Sequence, residues 1–170
     1  MNSLSENAAE LLSNFEPASS EKMQNILAKT PSLPEDYYQF IKEVGSGNMV
    51  YDGDDHFSFE SVPIDAAKEL FQDEVIYDSK IPYDGPAKGT VWVFGFDSGG
   101  ASVGFDSGDE NRLVEIAADR TIIKFDRNMT FKRFIEGLIV CYPQTGYKYE
   151  NGIWYGWKGE EEGRYPQDLA

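Results

Sequence analysis

The pentapeptide Gly-Phe-Asp-Ser-Gly occurs twice in the stretch VFGFDSGGASVGFDSG, at 95–99 and again at 104–108. Aspartate and serine between glycines can do chemistry, and the first copy runs on as DSGG, a context used by serine nucleophiles. Ser98 is therefore the first residue to test. A nucleophilic serine needs a base within hydrogen-bond reach, itself held by a third group. The residue before Asp97 is Phe96 where glycine is needed, and 170 residues are few for a two-barrel protease. The single histidine, His56, lies in an acidic stretch with no landmark of a catalytic base. Ser98 fails as a nucleophile.

Other chemistries fare no better. A phosphate loop leads glycines into a helix N-terminus, usually with a lysine. Here strand-like segments flank the glycines, and Asp97 and Asp106 would repel phosphate. Calcium is a better rival, since Asp52, Asp54 and Asp55 crowd one loop and Asp106, Asp109 and Glu110 another. Neither loop has the D-x-D-x-D-G-x₅-E spacing, and no glutamate falls at the bidentate position. One Cys and one His in the chain do not make a zinc site. No metal, cofactor or catalytic residue is expected. A carboxylate pair for glycoside hydrolysis would not stand out among 30 acids, so an acid-dependent hydrolase stays as a third reading. What remains for GFDSG is turn chemistry. Aspartate bonds its own backbone, glycine takes positive φ, and the repeat marks two successive turns at one edge of a meander.

The elements that must carry those turns can be read along the chain. Ser3 and Glu6 have capping-box spacing, and Leu4, Ala8, Leu11, Leu12 and Phe15 follow at helical intervals up to Pro17. A second helix is expected over 20–29, burying Met23, Ile26 and Leu27. A third begins at LPEDYYQFIKEVGSG, where Tyr37, Phe40, Ile41 and Val44 form the buried stripe and Gly45 the C-cap. Pro34 suits the first helical position, and Glu35 and Asp36 suit the positive end of the dipole. Phe57 and Phe59 alternate as in a strand, and IDAAKELF reads as a brief helix. Residues 78–90 read as a loop. TVWVFGF is apolar at nearly every position, as in a strand buried on both faces. LVEIA and TIIKFD follow as strands around the turn-prone Asp119-Arg120. Thr130 caps a last helix whose stripe is Phe131, Phe134, Ile135 and Leu138. In the tail, Asn151-Gly152 between aromatic residues predicts a hairpin. Helices, then a strand meander, then a helix point to α+β with a mostly antiparallel or mixed sheet and helices packed on it.

Composition narrows the function. The chain is 41% hydrophobic and 14% aromatic, enough to bury a core in one domain of ordinary size. Thirty acids against 15 bases give a net charge of −15. That argues against direct binding to nucleic acid or to anionic lipid, and favours a basic partner. Cys141 sits in the apolar run LIVCY and reads as a core residue rather than a reactive thiol. No signal peptide and no membrane span is apparent, so a reducing, cytoplasmic location is expected.

Three segments together, LPEDYYQFIKEVGSG, VWVFGFDSGGASVGFD and MTFKRFIEGLI, resemble the SUKH superfamily of immunity-type proteins, which also includes a fungal cell-wall assembly regulator. The positions that carry the likeness are Leu33, Pro34, Tyr37 and Phe40; Phe94, Gly95, Gly99 and Gly100; and Thr130, Phe131 and Phe134. The resemblance spans about residues 20–141. It implies an α+β fold with helices packed on the sheet; the expected organisation is a single SUKH-like domain over 1–141, with 142–170, which the resemblance does not reach, an aromatic, acidic extension packed on the same domain. It also implies a protein without catalytic residues that neutralises the C-terminal domain of a cognate bacterial toxin, with a nuclease as the expected toxin. A regulator or scaffold on the same fold is the alternative.

The charge pattern suggests how such binding would work. Over 43–67 the chain carries Glu43, Asp52, Asp54, Asp55, Glu60 and Asp65 and no Lys or Arg; over 89–111 it carries Asp97, Asp106, Asp109 and Glu110 and again no base. If Asp52, Asp54, Asp55, Asp97, Asp106, Asp109 and Glu110 share one side, they form a negative surface for a basic cleft. The tail adds Trp154, Tyr155 and Trp157 as aromatic anchors beside Glu160 and Glu161. The same rings could equally cover a sheet edge, with the glutamates as a solvated end.

Overall fold

TVWVFGF forms the middle of a six-stranded sheet in the computed structural model of the chain, which describes residues 8–51, 53–71, 74–77, 84–141, 147–150 and 153–156. The strands are β1 (Gly47–Tyr51), β2 (Asp54–Asp65), β3 (Val91–Asp97), β4 (Ser102–Asp106), β5 (Arg112–Ile116) and β6 (Ile122–Lys124). Each pairs antiparallel with the next, and their order in the sheet is their order in the chain. Helices α1 (Ser20–Lys29) and α2 (Glu35–Glu43) precede the sheet and α3 (Phe131–Cys141) follows it. The fold is α+β, as the order of sequence patterns requires. None of the described helices is long and apolar enough to cross a membrane.

Local chemistry sets the helix ends. The Ser19 side chain accepts from Lys22 N at 3.2 Å to open α1, and Thr130 Oγ1 accepts from Arg133 N at 3.2 Å to open α3. Asp36 in the first turn of α2 accepts from its neighbour Tyr37 N and from Lys132 N at 2.9 Å, so one carboxylate ties the starts of α2 and α3 together. Over 8–11 the chain is helical, in the segment read as the first helix.

The sheet has a core on each face. Alternation sends Phe57, Phe59, Phe94, Val103, Phe105 and Leu113 into one cluster with Tyr37, Ile41, Phe131 and Phe134 of the helices. It sends Val91, Val93, Val114, Ile116 and Ile122 into a second cluster with Ala66, Ala67, Ile76 and Ala87. This is why β3 is apolar along its length. A register shift between Val93 and Gly95 adds Phe94 as an extra residue and keeps its ring on the helix side. There it lies 5.1 Å from the Phe105 ring and 5.1 Å from the Phe131 ring. Gly95 makes room for this packing, because a Cβ there would stand 2.2 Å from the Phe57 ring.

Two elements differ from the sequence reading. IDAAKELF forms a single π-helical turn (Ala66–Leu70), closed by Phe71 N donating to Ala66 O at 2.8 Å. Asp65 and Glu69 bracket it: Asp65 accepts from Lys68 N, and Glu69 accepts from Asp65 N at 2.6 Å. Strand β1 is an addition, since GSGNMVY offers glycines and no clear alternation. In the tail, β7 (Tyr147–Glu150) and β8 (Ile153–Gly156) pair antiparallel with Glu150 opposite Ile153, the hairpin that Asn151-Gly152 predicts. The packing of 142–170 on the domain otherwise lies outside the described residues.

Tyr37 is the anomaly of the core. Its ring is fully buried, 5.6 Å from Phe105 and 5.3 Å from Phe131, and its hydroxyl has no hydrogen-bond partner among the described residues. Burial pushes its phenol well above the ordinary range, with Tyr38 adding to the effect. An unsatisfied buried hydroxyl costs about 1 kcal/mol or more. Tyr37→Phe is therefore expected to hold or raise the melting temperature, by roughly 2–4 °C. A clear loss of stability on thermal denaturation would show that the hydroxyl has a partner.

Candidate functional site

An antiparallel meander alternates its turns between the two ends of the sheet. The connections β1–β2, β3–β4 and β5–β6 therefore share one end, and β2–β3 and β4–β5 share the other. The two GFDSG turns follow β3 and β4 in succession, so they stand at opposite ends. The expectation that they lie together at one edge is corrected by this parity, and the seven candidate acids divide with them.

At the first end the turns are acidic and open. Asp54 and Asp55 are exposed at the start of β2, and Asp97 is half-buried at the end of β3. Ser98 N donates to His56 O at 3.1 Å, which holds the β3–β4 turn against β2. Asp97 Oδ1 accepts from Ala101 N at 2.9 Å and its carbonyl accepts from Gly100 N at 3.2 Å, with Gly100 at φ 87°. The first GFDSG is thus a turn, and Ser98 sits exposed within it.

The β5–β6 turn brings two further acids that the sequence reading did not select. Asp119 is exposed, and its carboxylate accepts from Thr121 Oγ1 at 2.7 Å and from Thr121 N at 3.0 Å. Those bonds hold its pKa below the usual range. Glu115 lies half-buried on β5, where desolvation and the nearby Asp97 charge raise its pKa. The basic residue of this turn, Arg120, lies 5.5 Å over the Phe71 ring. The signal that could have found Glu115 and Asp119 is the parity of the meander, applied to the turn-prone Asp119-Arg120.

At the opposite end two of the three candidate acids, Asp106 and Asp109, are internal. Asp106 is fully buried and accepts from Lys88 N at 2.7 Å, Gly89 N at 2.8 Å and Gly108 N at 3.0 Å. Its carboxylate clasps the loop before β3 onto the turn after β4. Asp109 is 5% exposed, and its Oδ1 accepts from Lys88 Nζ at 2.8 Å and Arg127 Nη2 at 3.0 Å. Arg112 Nη1 stands 3.7 Å from its Oδ2. The Lys88 hydrogen bond, opposed by burial and helped by Arg127, lowers the Asp109 pKa to about 2. Such a carboxylate stays ionised at neutral pH and is a poor general base. Asp106 and Asp109 are thus corrections to the expected docking surface: their charges are spent on the fold. Glu110 is exposed, with Arg127 Nη1 at 4.0 Å.

Asp52, Trp157, Glu160 and Glu161 lie outside the described residues. Trp154 and Tyr155 fall on β8, opposite Tyr149 and Lys148. Among the described residues no group of three or more His, Cys, Asp or Glu is arranged to hold a metal. Comparison of the chain with protein-family models, with curated proteins and with solved structures finds no match.

Proposed function

We propose that this chain is an immunity-type binding module that neutralises a toxin domain, and that the Asp54–Asp55–Asp97–Asp119 end of the sheet meets the toxin's basic surface. The observation that carries the reading is the polarity of the sheet. Three connections gather exposed and half-exposed carboxylates at one end. At the other end Asp109 is paired with Lys88, Arg112 and Arg127, and Asp106 is tied to three backbone amides. Carboxylates gathered in this way suit a cleft built to hold phosphates, such as that of a nuclease. The resemblance of three segments to the SUKH superfamily implies the same reading. In this reading no described side chain performs chemistry, and inhibition is stoichiometric occlusion.

The test is co-expression with a toxin domain encoded by a neighbouring gene, followed by association kinetics on the purified pair. Rescue of growth is expected. Failure to rescue or to bind would leave the regulator or scaffold alternative. Asp54→Asn/Asp55→Asn/Asp119→Asn is expected to slow association about tenfold at low salt and to flatten its salt dependence, with dissociation little changed. Unchanged association rates would remove this end from the mechanism.

A further inference from the structure

The six-stranded sheet ends in the short strand β6, and no further strand pairs with it among the described residues. The ladder tells which of its backbone groups face outward. Thr121 O accepts from Ala117 N at 2.9 Å and Phe125 N donates to Leu113 O at 3.0 Å, so the odd-numbered residues turn their backbone toward β5. Ile122 and Lys124 therefore turn theirs to the open edge. An open edge is a template for another strand, and natural sheets shield it with charge, a bulge or a covering loop.

Here the cover is one residue. Asp84, exposed in the loop before β3, donates its backbone N–H to Ile122 O at 3.4 Å, and its Oδ2 accepts from Lys124 N at 2.8 Å. A strand laid parallel to β6 would make that same pair of bonds around Ile123, with a main-chain carbonyl in place of the carboxylate. Asp84 thus stands in for one residue of a seventh strand. The chain then turns away at once. Gly85 takes φ 83°, Pro86 follows with no N–H to donate, and Ala87 is buried with its N donating to Ile76 O at 2.8 Å. The fold holds the plug in place and stops it from growing into a strand on that side.

What the plug guards is adhesive. Ile123 is 40% exposed, and only Leu27 among the described large apolar side chains is comparably open. Without Asp84, a second β6 can lie antiparallel on the first, about a two-fold axis at Ile123. Ile122 then faces Lys124 of the other copy on both sides of the axis. That register matches the outward-turned donors and acceptors, and the two Ile123 side chains meet at the centre. The pairing is isologous and uses the one β6 of each chain, so it closes at a dimer.

We infer that Asp84 is an edge guard, an intrachain plug that keeps β6 from pairing with the β6 of a second copy of this chain. The device lies outside the toxin reading and does not depend on it. The charge of −15 on each copy opposes the same pairing, but salt screens that repulsion beyond about 8–10 Å, whereas the plug acts at contact.

The test is sedimentation equilibrium of the full chain and three variants at about 0.3 M salt, with amide hydrogen exchange at Lys124. Asp84→Ala is expected to dimerise at least about tenfold more tightly than the parent chain. At concentrations where it is monomeric, its Lys124 amide should exchange at least about tenfold faster. Asp84→Asn keeps a carbonyl oxygen for Lys124 N and should match the parent. Asp84→Ala/Ile123→Lys should return to the parent's association, because two ammonium groups would meet at the two-fold axis. Unchanged association of Asp84→Ala, equal association of Asp84→Asn, assemblies that grow past the dimer, or association that survives Ile123→Lys would overturn the assignment. Mere misfolding gives the last of these results, so loss of the fold is not mistaken for release of the edge.

Discussion

Asp106→Ala is expected to lower the unfolding free energy by about 4 kcal/mol, and the melting temperature by roughly 8–16 °C. The carboxylate is fully buried and accepts three backbone N–H groups at 2.7, 2.8 and 3.0 Å. Hydrogen bonds to a charged acceptor are worth about 1.5–3 kcal/mol each, though not additively when they share one acceptor. Removing the acceptor strands the amides of Lys88, Gly89 and Gly108, and the loop before β3 loses its tether. Asp106→Asn keeps one acceptor oxygen but turns an NH₂ toward a donor, so about half the loss is expected. Urea denaturation of the two variants measures both values. A docking carboxylate would give the opposite pattern, with full stability and weakened partner binding. Losses under about 1 kcal/mol would return Asp106 to the surface.

That contrast also marks where the sequence stops being informative. The helices over 20–29 and from Pro34, and the strand TVWVFGF, were legible because their patterns are local: apolar period, caps and terminating glycine or proline. The second GFDSG looked like the first for the same reason. Whether its aspartate faces water or backs into the fold depends on Lys88 and Gly89, 18 and 17 residues away in the chain. No local pattern encodes that pairing. The acidic end was half legible. Asp54, Asp55 and Asp97 stood out as turn residues, whereas Glu115 joined them only through cross-strand register, opposite Val103. The bulge that places Phe94 among the aromatic rings was hidden too, since an apolar strand reads alike in either register.

The duplicated pentapeptide offers its own experiment, because its fifth residue stands in two different worlds. Gly99→Ala is expected to change stability by less than about 1 kcal/mol. A Cβ there would meet the Asp97 carboxylate at 3.2 Å, the movable end of a side chain on an exposed turn. Gly108→Ala is expected to cost about 3 kcal/mol. A Cβ there would stand 2.4 Å from Gly89 N and 2.4 Å from Lys88 C, and backbone cannot step aside as a side chain can. Relief requires the loop at Lys88–Gly89 to lift from the turn, which breaks the bonds that Asp106 makes. The two lesions act on one contact. The double variant Asp106→Ala/Gly108→Ala should therefore be little worse than the more damaging single one, a coupling of roughly 2–3 kcal/mol in a double-mutant cycle. Equal losses at Gly99 and Gly108 would mean that the copies are equivalent turns. Additive losses in the cycle would mean that the glycine and the aspartate hold different parts of the fold.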